Sequence, residues 1–349
     1  MKVEQNLEDE DSSLDFTVAI RAYNSQENLP LILDKLRSQL NTQNINWEIV
    51  VVDNNSTDDT AKIVQEYQSN WCQPYPLRYY LEPQQGAIHA RWRAIREAKG
   101  QLIGFLDDDN FPNANWVSAA YSFAQSHPQA GVCGSQVQGK FEVEPPKNFK
   151  RIQAFLAIKE HGSQPRLYNH RTLNLPAGAG MVIRKQVWLE HVPEQLVLQG
   201  PVGKSLSAKG EDFEGMIHIG EAGWEIWYNP QMLITHQIPA SRLERDYLIS
   251  LIRSAGLNVC TLRLTKASNW QKPVIMTRII LGNLRRIVRH WRQYRGQYQS
   301  DLVAACELEF FVSGLLSPWF YLKRQRTEGR GQKAEGRREE RKLQGRREL

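Results

Sequence analysis

The chain lacks most features that would set it apart from ordinary globular proteins. Its four cysteines, Cys72, Cys133, Cys260 and Cys306, are far apart and show no Cys-x-x-Cys spacing. That argues against a zinc site or a disulfide framework and for buried, reduced thiols. No apolar run reaches the ~18 residues that read as a membrane span. Residues 1–15 are acidic and polar, unlike a signal peptide. The nearest approach to a span, 310–322, is short, aromatic-rich and bounded by Glu307, Glu309 and Lys323. It reads first as the inner face of a last helix and second as a segment lying in a membrane interface. The expected location is cytoplasmic, with peripheral contact at the inner membrane face as the second expectation. A general excess of one charge is also missing. The formal net charge is +6, but residues 323–349 hold eleven Lys or Arg and five Glu, so the rest of the chain is neutral. The basic balance belongs to a tail, and nucleic-acid binding by the folded body is not expected.

What is present is a core. The apolar share of 41% over 349 residues suits one large domain or two ordinary ones. Strands are expected at 16–20, 47–52, 77–81 and 101–106. Between and after them, helices are expected from Asn28-Leu29-Pro30 with a Leu29, Leu33, Leu36, Leu40 stripe, from Ser56 with a capping-box spacing to Asp59, over 87–98, and over 116–126. This alternation predicts an α/β domain with a mostly parallel central sheet. Ligands of such sheets lie beyond the carboxyl ends of the strands. After Pro239 the pattern turns helical, over 241–264, 277–298 and 301–322. The expected organisation is an unstructured segment 1–14, an α/β domain 15–240, a helical extension 241–322 and an unstructured basic tail 323–349.

Three acidic clusters carry the chemistry. Asp107-Asp108-Asp109 directly follows an apolar strand. Three adjacent carboxylates repel one another unless a cation compensates them, and Mg²⁺ or Mn²⁺ is commonly held by one or two carboxylates plus phosphate oxygens. Strand alternation sets Asp107 and Asp109 apart from Asp108, which reads as supporting. Asp53, at the end of the second strand, could accept hydrogen bonds from a base edge; Asp58 and Asp59 read as helix-start acids. Glu211-Asp212 supplies a general base for an attacking hydroxyl. Gly178 and Gly180, upstream, would let backbone approach a ligand. His236 is a further candidate metal ligand, and Arg242 and Arg245 are candidates for diphosphate oxygens or for a solvated helix face.

In this order the clusters resemble the inverting family-2 glycosyltransferases of the GT-A fold, over roughly Phe16 to Pro239. Ala19-Ile20-Arg21-Ala22-Tyr23-Asn24 is similar to the family's opening strand and loop, 52–58 to its nucleotide-base motif, and 82–86 with Ala90-Arg91 to its third loop. Asp107-Asp108-Asp109 fits the D-x-D motif. The resemblance implies a nucleotide-sugar site of Tyr23, Asp53, Arg91, Asp107, Gly178 and Gly180. It implies Mg²⁺ or Mn²⁺ on Asp107, Asp109 and His236, and catalysis by Asp212 with Glu211. Two positions depart from the pattern: Arg21 stands where Pro is usual, and Trp92 where Asn is common. Neither the Q-x-x-R-W motif nor the membrane helices of processive relatives are found. The implied activity is inverting transfer of a single sugar from a nucleotide-sugar, a UDP-sugar first, to a glycan or lipid-linked acceptor in polysaccharide biosynthesis. The segment His236-Gln-Ile-Pro-x-x-Arg242-Leu is similar to cyanobacterial exopolysaccharide enzymes. The rival functions are a non-catalytic nucleotide-sugar scaffold and a sugar-1-phosphate nucleotidyltransferase.

Overall fold

The computed structural model describes residues 14–198, 200 and 210–345, with side chains through Arg326. The expected unstructured segment 1–14 lies outside them except for Leu14, as do Lys209 and residues 346–349. Strand β1 (Leu14–Ala22) leads into helix α1 (Leu29–Arg37), whose Leu29, Ile32, Leu33 and Leu36 are buried. The helix ends before Leu40, which is exposed, so Ile32 completes the stripe instead. Strand β2 (Trp47–Asp53) is buried along its whole length, as a strand covered on both faces must be. Helix α2 (Thr60–Ser69) starts three residues later than the Ser56 spacing predicts, with Asp59 and not Ser56 at its N-cap. Asp58 accepts from the Thr60 amide at 3.1 Å, while the Ser56 hydroxyl is taken by the amide of Asn24. Then come β3 (Leu77–Leu81), α3 (Ala87–Glu97), β4 (Gly100–Asp107), the short β5 (Asn110–Pro112) and α4 (Trp116–Ser126).

The second half of the sheet is less visible in the sequence. Strands β6 (Ala130–Phe141), β7 (Arg166–Leu167) and β8 (Val182–Arg184) precede α5 (Lys185–His191), α6 (Glu211–Glu221) and strand β9 (Glu225–Ile238). Among the described residues the strand order is β3-β2-β1-β4-β8-β6-β9-β5, with β7 beside β9. The block β3-β2-β1-β4 is parallel throughout. Strand β8 runs against β4 and β6, while the two longest strands, β6 and β9, pair in parallel. Three glycines and several polar residues hide the period of β6, and Pro230 interrupts β9. The register of the β6–β9 pair shifts between Ser135 and Gln136, opposite that proline.

Three further helices follow among the described residues: α7 (Arg245–Leu264), α8 (Gln271–Gln293) and α9 (Leu302–Gly345). Leu248, Leu251 and Ile252 of α7 and Val303 and Cys306 of α9 form one cluster with Phe149, Ile152 and Leu156 of the α/β body. Each such side chain contributes about 1.5–3 kcal/mol on burial, enough to fix the helices to the body. Two expectations need correction. Helix α9 continues to Gly345, where the composition predicted an unstructured tail; Ala, Glu, Gln, Lys and Arg all favour helix once one is nucleated. Its Leu302–Arg326 part is also long and apolar enough to cross a membrane by length and composition. The apolar stretches on either side of Glu307 and Glu309 join in one helix. Those carboxylates are matched, Glu307 by Arg151 and His290 and Glu309 by Arg253, so that face packs inward.

Candidate active site

Three loops at the carboxyl ends of β1, β2 and β3 are tied together. Asn24, in the left-handed region at φ 52°, accepts from the Thr57 amide at 2.8 Å. The Ser25 amide donates to the Thr60 hydroxyl at 2.8 Å. Asn54 donates to the Gln84 carbonyl and accepts from the Gly86 amide, both at 2.8 Å. Asp53 sits at this junction, buried, and accepts from the Ser56 amide and the Tyr79 hydroxyl, each at 2.8 Å. Burial, and then the Asp53 charge, push the Tyr79 hydroxyl well above its usual range.

The acidic turn is shaped by its neighbours on both sides. Asp107 closes β4 in register with Arg21 of β1, and their side chains form an ion pair. The Arg21 departure therefore supplies Asp107 with a counter-charge. Asp108 accepts from the Ser25 hydroxyl at 2.5 Å. Burial first, and then Asp109, raise its carboxyl to about 7. Strand β5 pairs with β9 so that Asn110 faces His236, which brings Asp109 alongside the imidazole. Burial alone would raise the Asp109 carboxyl, but contacts with His236 and Arg242 outweigh it and hold it at about 2.

Glu211 and Asp212 open α6, where the unpaired amides of a helix start favour negative charge. Asp212 is ion-paired with Arg91, which is fully buried under the ring of Phe105 at 4.5 Å. Burial and the nearby Arg21 charge lower the Arg91 guanidinium to about 9. A Cβ on Gly178 would fall 1.8 Å from Asp212 Oδ2, so only glycine leaves room for that carboxylate. Gly180 has φ +67°, and its carbonyl accepts from Ser135 at 2.6 Å.

One cavity of about 610 Å³ collects these groups. Tyr23, Asp107, Asp108, Asp109, Gly178, Glu211, Asp212, His236 and Arg242 all line it. Asp53, Arg91 and Gly180 are not on its lining; Arg91 braces Asp212, which is, while Asp53 is bonded to Ser56 and Tyr79 and Gly180 to Ser135, all off the lining. Leu251, Ala255 and Val259 of α7 form an apolar wall. Ser25 and Lys159 were missed by sequence reading. Ser25 gives no motif signal, and Lys159 lines the cavity from an irregular segment, where burial and then Arg166 lower its ammonium to about 8.

The donor set can be tested against a divalent metal. His236 Nδ1 lies 3.0 Å from the Leu156 carbonyl, which only accepts, so Nδ1 carries a proton. Nε2 lies 3.3 Å from Asp109 Oδ2, to which a charged ring donates; only the neutral ring keeps there the lone pair that a metal needs. Nε2 and Asp109 Oδ2 also converge on Arg242 Nη1, at 3.0 and 2.8 Å. A guanidinium thus stands between the two groups as a cation would. Asp107 is turned to Arg21 instead, and among the described residues no three His, Cys, Asp or Glu converge on one point. Asp109 and His236 therefore fit Mg²⁺ or Mn²⁺ as a two-ligand set to be completed by phosphate oxygens, rather than as a cage.

Comparison with known proteins agrees with this architecture. The family model "Glycosyl transferase family 2" matches residues 17–188. Glycosyltransferase AglE of Haloferax volcanii is 33% identical over 113 residues, 32% of this chain and 36% of that protein. The putative teichuronic acid biosynthesis glycosyltransferase TuaG of Bacillus subtilis is 34% identical over 94 residues, 27% and 35% of the two chains. The chain thus spans about a third of the length of these relatives. Mannosyltransferase PcManGT of Pyrobaculum calidifontis, solved with GDP-Man and Mn²⁺, superposes with a TM-score of 0.53 at 17% identity, covering 86% of this chain and 87% of that one. At that identity the likeness shows the fold alone, a GT-A transferase fold with C-terminal helices. The expected cyanobacterial exopolysaccharide subtype finds no support in these matches. Residues 17–188 are thus similar to glycosyl transferase family 2, over just under half of the chain.

Proposed function

We propose that the chain transfers a single sugar from a nucleotide-diphospho-sugar to a hydroxyl of a glycan or lipid-linked acceptor, with inversion, in polysaccharide assembly. The observation that carries this reading is the meeting of Asp109, His236 and Asp212 on one cavity beyond the ends of the parallel strands. Tyr23 and the loop braced by Asp53 take the nucleotide. Asp109 and His236 would hold Mg²⁺ or Mn²⁺, and Asp107, paired with Arg21, would serve the ribose or the ion. When bound, the metal would supply charge neutralisation for the departing diphosphate. Arg242, set against Asp109 and His236, has planar donors suited to a phosphate oxygen. Asp212, fixed through one oxygen by Arg91, takes the acceptor hydroxyl's proton with the other. Glu211 orients a sugar hydroxyl. The apolar wall of α7 favours an acceptor with a hydrocarbon portion.

The Mn²⁺ assignment is supported by the carboxylate–imidazole donor set, and PcManGT holds Mn²⁺ with a nucleotide-sugar, GDP-Man. A panel of nucleotide-sugars, tested by Mn²⁺-dependent thermal shift and then by donor hydrolysis, checks the reading. Asp109→Ala is expected to abolish Mn²⁺-dependent turnover with the fold intact by circular dichroism. Normal turnover in that variant sinks the metal assignment. Binding without turnover of any donor by the parent chain favours the scaffold function.

A further inference from the structure

Helix α8 turns its apolar side outward. Trp270, just before it, and Val274, Leu281, Leu284, Val288 and Trp291 are all exposed, Trp270 by 74% and Leu281 by 60%. With Thr277 these positions recur every three or four residues, which places them in one stripe. The 23-residue helix is about 34 Å long, so the stripe runs its full length with a tryptophan at each end. Its opposite side, with Ile279, Asn283 and His290, is the buried one. Between Gln271 and Gln293 there are six Lys or Arg and no Asp or Glu. Arg278, Arg285 and Arg292, seven residues apart, form a row beside the stripe. Further exposed apolar groups, Leu316, Trp319 and Leu322, sit on α9, where neighbouring Tyr321 shares a cluster with Ile275 and Met276 of α8.

We propose that this face of α8 docks in the plane of an anionic lipid bilayer. A soluble helix facing water would carry polar residues along that stripe. A second protein surface would have to match an apolar strip and the arginines beside it together. An anionic bilayer offers both at once: acyl chains for the stripe, headgroup phosphates for the arginines, and an interface that accepts tryptophan at each end. The charge pattern decides between lipid and protein as the occupant. The surface differs from the 310–322 stretch that sequence reading put forward, much of which packs inward. It is independent of the transferase reading, since none of these side chains lines the cavity.

The full chain is sedimented with vesicles of phosphatidylcholine alone and of phosphatidylcholine with phosphatidylglycerol. Binding is expected only to the anionic vesicles, and to weaken as salt rises. The variants L281E/L284E and R285E/R289E/R292E are each expected to lose roughly tenfold or more in vesicle affinity. All five positions are exposed, so circular dichroism and donor hydrolysis are expected to be unchanged. Undiminished binding by L281E/L284E assigns the attraction to the basic tail and overturns the proposal. No binding to either vesicle overturns it as well. A dimer that L281E/L284E dissolves, without vesicle binding, gives the face to a second copy of the chain and overturns it too.

Discussion

At the scale of single residues, the site depends on how Asp212 is held. One oxygen is fixed by Arg91, and the other occupies space that only a glycine at 178 leaves open. Gly178→Ala must push that carboxylate aside. The expected result is a fall in kcat of roughly a hundredfold, the cost of misplacing a reacting group by about 1 Å. Nucleotide affinity, measured by calorimetry with UDP and Mn²⁺, is expected to stay near the parent's. A parallel loss of UDP affinity would show that Gly178 serves the donor and not the base. Much of this scale was legible: carboxylates after apolar strands carry their meaning in their order along the chain. The contacts that modify them were not. The bond from Ser25 to Asp108 and the place of Lys159 join residues distant in sequence, and no local pattern records them.

At the scale of elements, the parallel block is held by one buried acid. Glu48 of β2 is fully buried and accepts from the Thr17 hydroxyl of β1 at 2.9 Å and from the Lys99 amide, just before β4, at 2.7 Å. Its other oxygen pairs with Arg78 of β3 at 2.6 Å. Glu48→Ala leaves the Thr17 hydroxyl and the Lys99 amide without this acceptor, while Arg78 keeps Tyr80 and Glu97. A loss of about 3 kcal/mol is expected, read from urea unfolding midpoints. A change below about 1 kcal/mol would mean that water replaces the carboxylate. The elements this acid joins were readable because strands buried on both faces are continuous apolar runs. Strands β6 and β9 were not, since glycines and a proline break their pattern and their pairing is set by partners a hundred residues away. The outward face of α8 was hidden for a different reason. Apolar periodicity reports that a helix has a stripe, and only the packed structure shows which side is buried.

At the scale of the whole molecule, acid should weaken the fold partly through α6, the helix that carries Asp212. Burial and then Lys266 lower His218 on that helix to about 4, against its ordinary value of 6.5. Between those two values the unfolded chain binds the extra proton and the folded chain does not. The His218 contribution is therefore intact above about pH 6.5 and is lost as the pH falls toward 4, with a slope of at most about 1.4 kcal/mol per pH unit. Asp108, whose carboxyl is raised, acts in the opposite sense, so the comparison must be made against a variant. His218→Gln is expected to flatten the pH dependence of the urea midpoint over that window and to leave it unchanged near pH 8. An unaltered slope would show that the imidazole is protonated without cost. The acid stability curve could not be read from the sequence, because it depends on burial at a helix whose neighbours are fixed only in the fold.

Arg91 links the chemistry to the survival of the fold. It is a full positive charge with no access to water, and Asp212 is the carboxylate paired with it. Removing the acid leaves an isolated cation in the interior, so loss of catalysis and loss of stability come together. A lineage relaxing toward mere sugar-nucleotide binding could not discard Asp212 alone; it would have to exchange both members of the pair for neutral groups. Under the proposed function Asp212 is therefore needed twice, once as the base and once as the partner of a buried cation.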